Sequence, residues 1–369
     1  MTTRVNSEAR QSSDLSQLIF SIPALISTIS ASQTIQPGDV ISTGTPAGVG
    51  IGRKPPQFLR PGDEIAVSVD GLGTLTNRVS ESNKRPQRPL RLTAAPPPHE
   101  VALTTLRPSG KKVNIERHGS RTSRDVIIFV HGLGSSTDFY APLLATPLMD
   151  KNLVFYDLEG HGLTPTAAIS MVSVSSYAAD LQEVIASLSL PDGAKISIVA
   201  HSLGCLIAQL HASTHPVHSL VLLAPPPTPL PSAVAESVLA RGEAARESGM
   251  SHIADTLPLT ATSRHTQETK PLAAAFVRAL IRKCDPEGYA KGCVAYATFT
   301  GDGLRRRELM VDNQTVVVAG DDDNSVRLEW ARDTCESMGG RLVVLDGVGH
   351  WLLLEDLEGV RKVLYDVFC

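Results

Sequence analysis

The chain has 369 residues, 42% of them hydrophobic and 20% charged, with a net charge of −4. That length exceeds one small core and points to two domains, or to one domain with extensions. The acidic balance provides no basic stripe, which argues against nucleic acid or an anionic membrane surface as partner. The five cysteines (205, 284, 293, 335 and 369) are scattered with no C-x-x-C pair. They read as a reducing, cytoplasmic compartment, with neither a disulfide framework nor a zinc site.

In chain order, the first feature is an apolar run at residues 18–26 that follows Arg4 and Arg10 and superficially has the form of a signal peptide. Glu8 and Asp14 stand where positive charge belongs, Pro23 interrupts the run, and it is too short to span a bilayer. It is read instead as a buried helix within residues 15–30. The chain to about residue 82 is then rich in turns, at Pro37-Gly38-Asp39, Gly44-Thr45-Pro46, Gly48-Val49-Gly50, Pro61-Gly62-Asp63 and Gly71-Leu72-Gly73. Short β patterns such as Glu64-Ile-Ala-Val-Ser-Val69 lie between them, so residues 1–82 are expected to form a β-rich module. Residues 83–100, with Lys84-Arg85-Pro86-Gln87-Arg88-Pro89 and Ala94-Ala-Pro-Pro-Pro98, read as a proline-rich linker. Their few positive charges suit a solvated spacer better than a nucleic-acid arm.

Residues 101–369 alternate strand and helix signals. Val126-Ile-Ile-Phe-Val130, Leu153-Val-Phe-Tyr156, Ile196-Ser-Ile-Val199, Leu220-Val-Leu-Leu223, Thr315-Val-Val-Val-Ala319 and Leu342-Val-Val-Leu345 are short, apolar and β-branched. Such runs predict an α/β fold whose mostly parallel sheet is covered on both faces. The alternation stops between Leu223 and Thr315. Prolines 225 to 231 break the chain, and helical patterns follow at residues 233–246 and 272–283. An insertion at about 225–300 is expected to form a helical lid over the carboxyl edge of the sheet, where open α/β folds bind ligands.

Chemistry concentrates at the ends of these strands. Lys195-Ile-Ser-Ile-Val-Ala-His-Ser-Leu-Gly204 has the form of a strand, a sharp turn and a helix, with Ser202 at the apex. A serine nucleophile needs a base, an acid to orient the base, and N–H groups for the oxyanion. Gly347-Val-Gly-His350-Trp351 supplies the base, His350. Ala319-Gly-Asp-Asp-Asp-Asn324 supplies the acid; Asp323 is the favoured register, with Asp321 and Asp322 as alternatives. His131-Gly132-Leu133-Gly134 follows the first strand, and the N–H of Leu133 joins that of Leu203 as the oxyanion hole. Singly, each motif has a plainer explanation: a turn serine, a solvated acidic loop, a structural histidine. Together, in this order after four strand ends, they are hard to assemble by chance. His201 is read as part of the turn, and His211 and His215, four apart, as surface histidines and not metal ligands.

This constellation resembles the α/β-hydrolase superfamily over nearly all of residues 101–369, and Asp157-Leu-Glu-Gly-His-Gly162 is similar to that family's structural loop after its fourth strand. Two departures are Ala200, where a glycine is common, and Cys205, where a second one is. Within the superfamily, Ala240-Arg-Gly-Glu-Ala-Ala-Arg-Glu-Ser-Gly-Met250, Ile253-Ala-Asp255 and Asp285-Pro-Glu-Gly-Tyr289-Ala290 look like the lid of the 3-oxoadipate enol-lactonase group. The resemblance implies hydrolysis of a small ester or lactone through an acyl-enzyme, without metal or cofactor. A carbon–carbon bond hydrolase of ring-cleavage products would share the same residues. Metal-dependent hydrolase chemistry of the fumarylacetoacetate hydrolase type, seated in residues 1–82, and a non-catalytic binding protein are further alternatives. Haloalkane dehalogenases and epoxide hydrolases of this fold carry aspartate in place of Ser202.

Residues 5–79 resemble the C-terminal part of the fumarylacetoacetate hydrolase family: Gln11, Phe20-Ser-Ile-Pro23, Pro37-Gly-Asp-Val-Ile41, Thr43-Gly-Thr-Pro-Ala-Gly-Val-Gly50, Phe58-Leu-Arg-Pro-Gly-Asp63 and Gly71-Leu-Gly-Thr-Leu-Thr-Asn77. The resemblance implies that Thr45 helps hold a substrate carboxylate near a divalent metal. That family's metal carboxylates lie upstream of these motifs and are missing from this chain, and Asp39 and Asp63 in their turns do not replace them. The module is therefore expected to be a metal-free partial domain with unpaired sheet edges, suited to packing or to a homodimer.

Overall fold

The computed structural model of the protein describes residues 1–30, 41–71, 73–80, 103–304 and 308–369. Asp39 with its turn, and the proline-rich stretch at 83–100, lie outside the described residues. The chain divides into two compact units, Met1–Pro98 and His99–Cys369.

The first unit contains β1 (Thr2–Val5), β2 (Glu8–Ser12), α1 (Ile22–Ser30), β3 (Glu64–Val69) and β4 (Gly73–Arg78). The strands form one antiparallel sheet in the order β2-β1-β3-β4. β1 and β2 are joined at Asn6 and Ser7, whose φ angles of 49° and 69° are those of a tight hairpin turn. The loop at Thr45 is tied to β2, since Gln11 Nε2 donates to Thr45 Oγ1 and to the Pro46 carbonyl, both at 2.8 Å. Gly48 is required there: a Cβ would sit 2.0 Å from the Arg10 carbonyl oxygen.

The apolar run contradicts the expected buried helix. It does become α1, preceded by a single turn at Leu15–Gln17, but Ile19 and Phe20 are 91% and 64% exposed and Ile22 and Ile26 are exposed too. The physical reason is that the unit builds scarcely any core for them to enter. Val5 is its one buried hydrophobic residue among the described residues, and β4 is exposed along its whole length.

The second unit opens with a small hairpin, β5 (Thr104–Thr105) and β6 (Lys112–Val113), and then builds a seven-stranded sheet. Its strands are β7 (Ile115–Gly119), β8 (Asp125–Val130), β9 (Asn152–Tyr156), β10 (Lys195–His201), β11 (Val217–Leu223), β12 (Val311–Gly320) and β13 (Arg341–Leu345), in the order β13-β12-β11-β10-β8-β9-β7. All neighbours run parallel except β7, which pairs antiparallel with β9. The parallel strands are buried on both faces, which explains their unbroken apolar runs: Val126, Ile128, Val130, Val199 and Val317 are fully buried. β7, Ile-Glu-Arg-His-Gly, is half-buried at every position and carries no such run, so the sequence gives little sign of it.

Helices α2 (Val174–Ser187), α3 (Leu203–Ala212), α9 (Leu328–Met338), α10 (Leu352–Glu355) and α11 (Leu357–Phe368) follow or connect the strands. α2 starts on a capping box formed by Ser173 and Ser176. Between β11 and β12 stand α4 (Ser232–Ser248), α5 (Met250–Ala261), α6 (Arg264–Thr269), α7 (Pro271–Arg282) and α8 (Pro286–Ala297), with α4 packed against α8 and α5 against α7. α8 sits directly on the loops that leave β8 and β9: Gly288 and Gly160 approach so closely that a Cβ on either would lie 2.3 Å from the other's Cα. Among the described residues no helix is long and apolar enough to cross a membrane.

Candidate active site

Ser202 lies between β10 and α3 with φ 51° and ψ −121°, a left-handed conformation that a residue with a side chain rarely adopts. The turn is held by its surroundings. The Ser202 N–H donates to the Leu223 carbonyl at 2.9 Å, and its own carbonyl accepts from Cys205 N–H at 2.8 Å. Gly204 permits the turn to press on the neighbouring strand end, because a Cβ there would lie 2.4 Å from the Val130 carbonyl oxygen. Ala200 and Cys205, the two departures noted in the sequence, are fully buried, and the Cys205 thiol donates toward the Ala200 and Leu223 carbonyls.

A hydrogen-bonded chain leads away from the serine. Ser202 Oγ lies 2.9 Å from His350 Nε2, and His350 Nδ1 lies 2.8 Å from Asp323 Oδ2. All three side chains are at least nine-tenths shielded as residues. The other Asp323 oxygen, Oδ1, accepts from the N–H groups of Ser325 and Val326, which fixes the carboxylate in place. The neighbouring aspartates are engaged elsewhere: Asp321 accepts from Gly347 N–H at 2.7 Å and Asp322 from Arg264 N–H at 3.1 Å.

Leu203 is the first residue of α3, so its N–H is one of the donors a helix start leaves unpaired. Gly132, which precedes Leu133, packs against the serine; a Cβ on it would meet Ser202 Cβ at 2.9 Å. His131 orients that loop. Its Nε2 accepts from Leu158 N–H at 3.0 Å, so Nδ1 carries the proton and donates to the Gly132 carbonyl at 2.8 Å. That carbonyl belongs to the same planar trans peptide as the Leu133 N–H, which is thereby turned to the opposite side. Asp157 anchors the adjoining loop by accepting from Thr137 N–H, Leu163 N–H and Asn114 Nδ2. Burial raises its carboxyl above the ordinary range, against those hydrogen bonds.

Two structural residues support the site, and the first of them was not anticipated from the sequence. Glu355, on α10, is 1% exposed, and its carboxyl accepts from the N–H groups on both sides of His350: Gly349 at 3.0 Å and Trp351 at 2.9 Å. It also accepts from Ser263 N–H at 2.8 Å, joining the His350 loop to the helices inserted after β11. The signal for it was present, a carboxyl closing the apolar run Trp351-Leu-Leu-Leu-Glu355, since a buried charge must find partners. His201 is the second. It is buried, and its Nε2 lies 2.9 Å from the His350 carbonyl.

His211 corrects an expectation. It is buried, not a surface residue, and stacks on His215 with ring centroids 4.7 Å apart and planes 9° from parallel. It sits in the last turn of α3, where the helix packs on the sheet. Among the described residues no three His, Cys, Asp or Glu side chains gather as a metal site requires.

Burial also sets the acid response of this unit. Desolvation pushes His131 down to about 4 and His161 down to about 3, so both are neutral in the fold. The unfolded chain protonates them near pH 6.5, and each therefore contributes stability above that pH that is lost as the pH falls toward 4 and 3. The loss amounts to roughly 1.4 kcal/mol per histidine per pH unit below 6.5. Asp157 and Asp180, raised by burial, act in the opposite sense at lower pH. The urea midpoint is expected to fall between pH 7.5 and pH 5.5; an unchanged midpoint would show that these histidines are not held neutral.

Comparison with known proteins gives different answers for the two units. Residues 1–80 match the model for the Fumarylacetoacetate (FAA) hydrolase C-terminal family. An oxaloacetate tautomerase, YisK of Bacillus subtilis (strain 168), is 56% identical over 77 residues, which are 21% of this chain and 26% of that protein. The chain thus spans about a quarter of the length of the curated relatives it matches. Among solved structures, a thermophilic esterase from Thermogutta terrifontis aligns over 72% of this chain and 96% of its own, with a TM-score of 0.64 and 20% identity. The enol-lactonase from Burkholderia xenovorans LB400 aligns over 72% and 98%, with a TM-score of 0.62 and 21% identity. At such identities these two show a shared fold. Residues 127–363 match the model for the Alpha/beta hydrolase family, and with more than half of its length under that model the chain belongs to this family.

Proposed function

We propose that the chain is a serine hydrolase of small esters or lactones, with its chemistry in the unit His99–Cys369. The observation that carries this reading is the hydrogen-bonded sequence Ser202–His350–Asp323, at 2.9 and 2.8 Å. In it His350 Nε2 takes the proton of Ser202 Oγ as the oxygen attacks the substrate carbonyl. Asp323 Oδ2 accepts from His350 Nδ1–H, which holds the ring in the required tautomer and stabilises the imidazolium. The N–H groups of Leu133 and Leu203 receive the developing oxyanion. His350 then protonates the leaving oxygen, and a water that it activates cleaves the acyl-enzyme. Helices α4 to α8 act as the lid over this site. The esterase and enol-lactonase among the structural neighbours support ester and lactone substrates over carbon–carbon cleavage.

The test is a screen of enol-lactones and simple p-nitrophenyl esters with and without chelator. Turnover that persists in chelator is expected. Turnover abolished by chelator and restored by a divalent cation would move the activity to metal chemistry and overturn the assignment.

A further inference from the structure

We propose that His201 is a positioning residue, a strut between the turn that carries Ser202 and the loop that carries His350; this rests on the serine-hydrolase reading for the reaction. His201 ends β10 and immediately precedes Ser202. Its Nε2 lies 2.9 Å from the His350 carbonyl. A carbonyl only accepts, so Nε2 carries the proton and donates it, and Nδ1 keeps its lone pair. Nδ1 is buried and has no hydrogen-bond partner. It lies against Gly132, where a Cβ would stand 3.1 Å from it and 2.9 Å from Ser202 Cβ. Burial and the neighbouring His350 ring hold His201 well below the ordinary histidine range, so its ring is neutral.

What this bond does follows from the other contacts of the His350 main chain. The His350 N–H donates to the Ala261 carbonyl at the end of α5, at 2.9 Å, and Glu355 takes the N–H groups on either side. Those restraints tie the His350 loop to α10 and to the helices inserted after β11. They do not reach the turn at Ser202. The His201 bond does, joining the residue before the nucleophile to the carbonyl of the base itself across 149 positions of sequence.

The strut is itself held. The His201 ring packs on Phe139 and Trp351, with centroids 4.6 and 5.6 Å away, and the His350 ring stands 5.0 Å from it. It thus sets the separation of the two loops across which Ser202 Oγ and His350 Nε2 meet at 2.9 Å. Proton transfer is sensitive to that separation, since a displacement of one ångström between reacting groups can cost about a hundredfold in rate.

The experiment compares wild type, His201→Phe and His201→Gln on one p-nitrophenyl ester, with the melting temperature of each. Phenylalanine keeps an aromatic ring beside Phe139 and Trp351 and removes the donor. Glutamine loses the ring and places an amide N–H near the position of Nε2. In His201→Phe, kcat is expected to fall about tenfold with KM changed less than about twofold. In His201→Gln, kcat should stay within about threefold of wild type even where the lost ring lowers the melting temperature. Glutamine no faster than phenylalanine, or phenylalanine as fast as wild type, would overturn the proposal. The far-downfield proton resonance of His350 Nδ1–H, identified by its loss in His350→Ala, gives a readout that needs no turnover. It should persist in His201→Gln and broaden in His201→Phe. That dependence in a chain that cleaves no ester would sink the serine-hydrolase reading alone. Ester cleavage at the wild-type rate in His201→Phe, with the resonance intact, would sink the strut alone.

Discussion

Ser202→Ala is expected to lower kcat by roughly five to six orders of magnitude, with little change in the melting temperature. The size of the effect follows from how the groups act. His350 and Asp323 have no proton to move once the hydroxyl is gone, so their contribution disappears with it. What remains is the residual acceleration from the oxyanion donors and from binding. Asp323→Asn should cost about 10⁴-fold, because an amide can present its N–H to His350 and select the wrong tautomer. Asp322→Asn should change the rate by less than about threefold, since Asp322 accepts only the exposed Arg264 N–H. Equal losses in the two asparagine variants would refute the choice of Asp323. The comparison is measured as kcat on one chromogenic ester, with circular dichroism to confirm folding.

Glu355→Ala is expected to be the most damaging substitution outside the serine, histidine and aspartate. It leaves the N–H groups of Gly349, Trp351 and Ser263 buried without their acceptor. Each such group costs about 1–3 kcal/mol, so a total of at least about 3 kcal/mol and a fall of roughly 10 °C in Tm are expected. Because two of these donors flank His350, kcat should fall at least tenfold even at temperatures where the variant is folded, as the imidazole loses its fixed position. The second effect separates positioning from mere stability. A variant with lowered Tm and unchanged kcat at 15 °C would show that Glu355 supports the fold without orienting His350.

How much of this was legible in the sequence depends on the kind of signal each residue carries. The parallel strands announced themselves because both faces are buried, which leaves continuous runs such as Val126-Ile-Ile-Phe-Val130. Ser202, Asp323 and His350 were each readable from a strand end followed by a turn, and the structure brings those three side chains together. Asp323 was favoured over Asp321 and Asp322 by its register, and it is the one whose carboxylate lies against His350, because three identical side chains differ only in where the loop aims them. β7 was invisible for the opposite reason to β8: an edge strand with half-exposed residues has no apolar pattern to show. The exposed α1 was misread because an apolar helix was assumed to have a core to enter, and the unit around it supplies almost none. His211 was taken for a surface residue because helical spacing alone does not say which face meets the sheet. Glu355 went unread since one of its partners, Ser263, lies far away in the chain.

The most direct test of the account is covalent labelling by a fluorophosphonate, read by peptide mass spectrometry. The serine-hydrolase reading predicts one label per chain, carried by the peptide containing Ser202 and missing in Ser202→Ala and strongly slowed in His350→Ala. Ester turnover by a chain that takes no label at Ser202, or takes it at another residue, would contradict it.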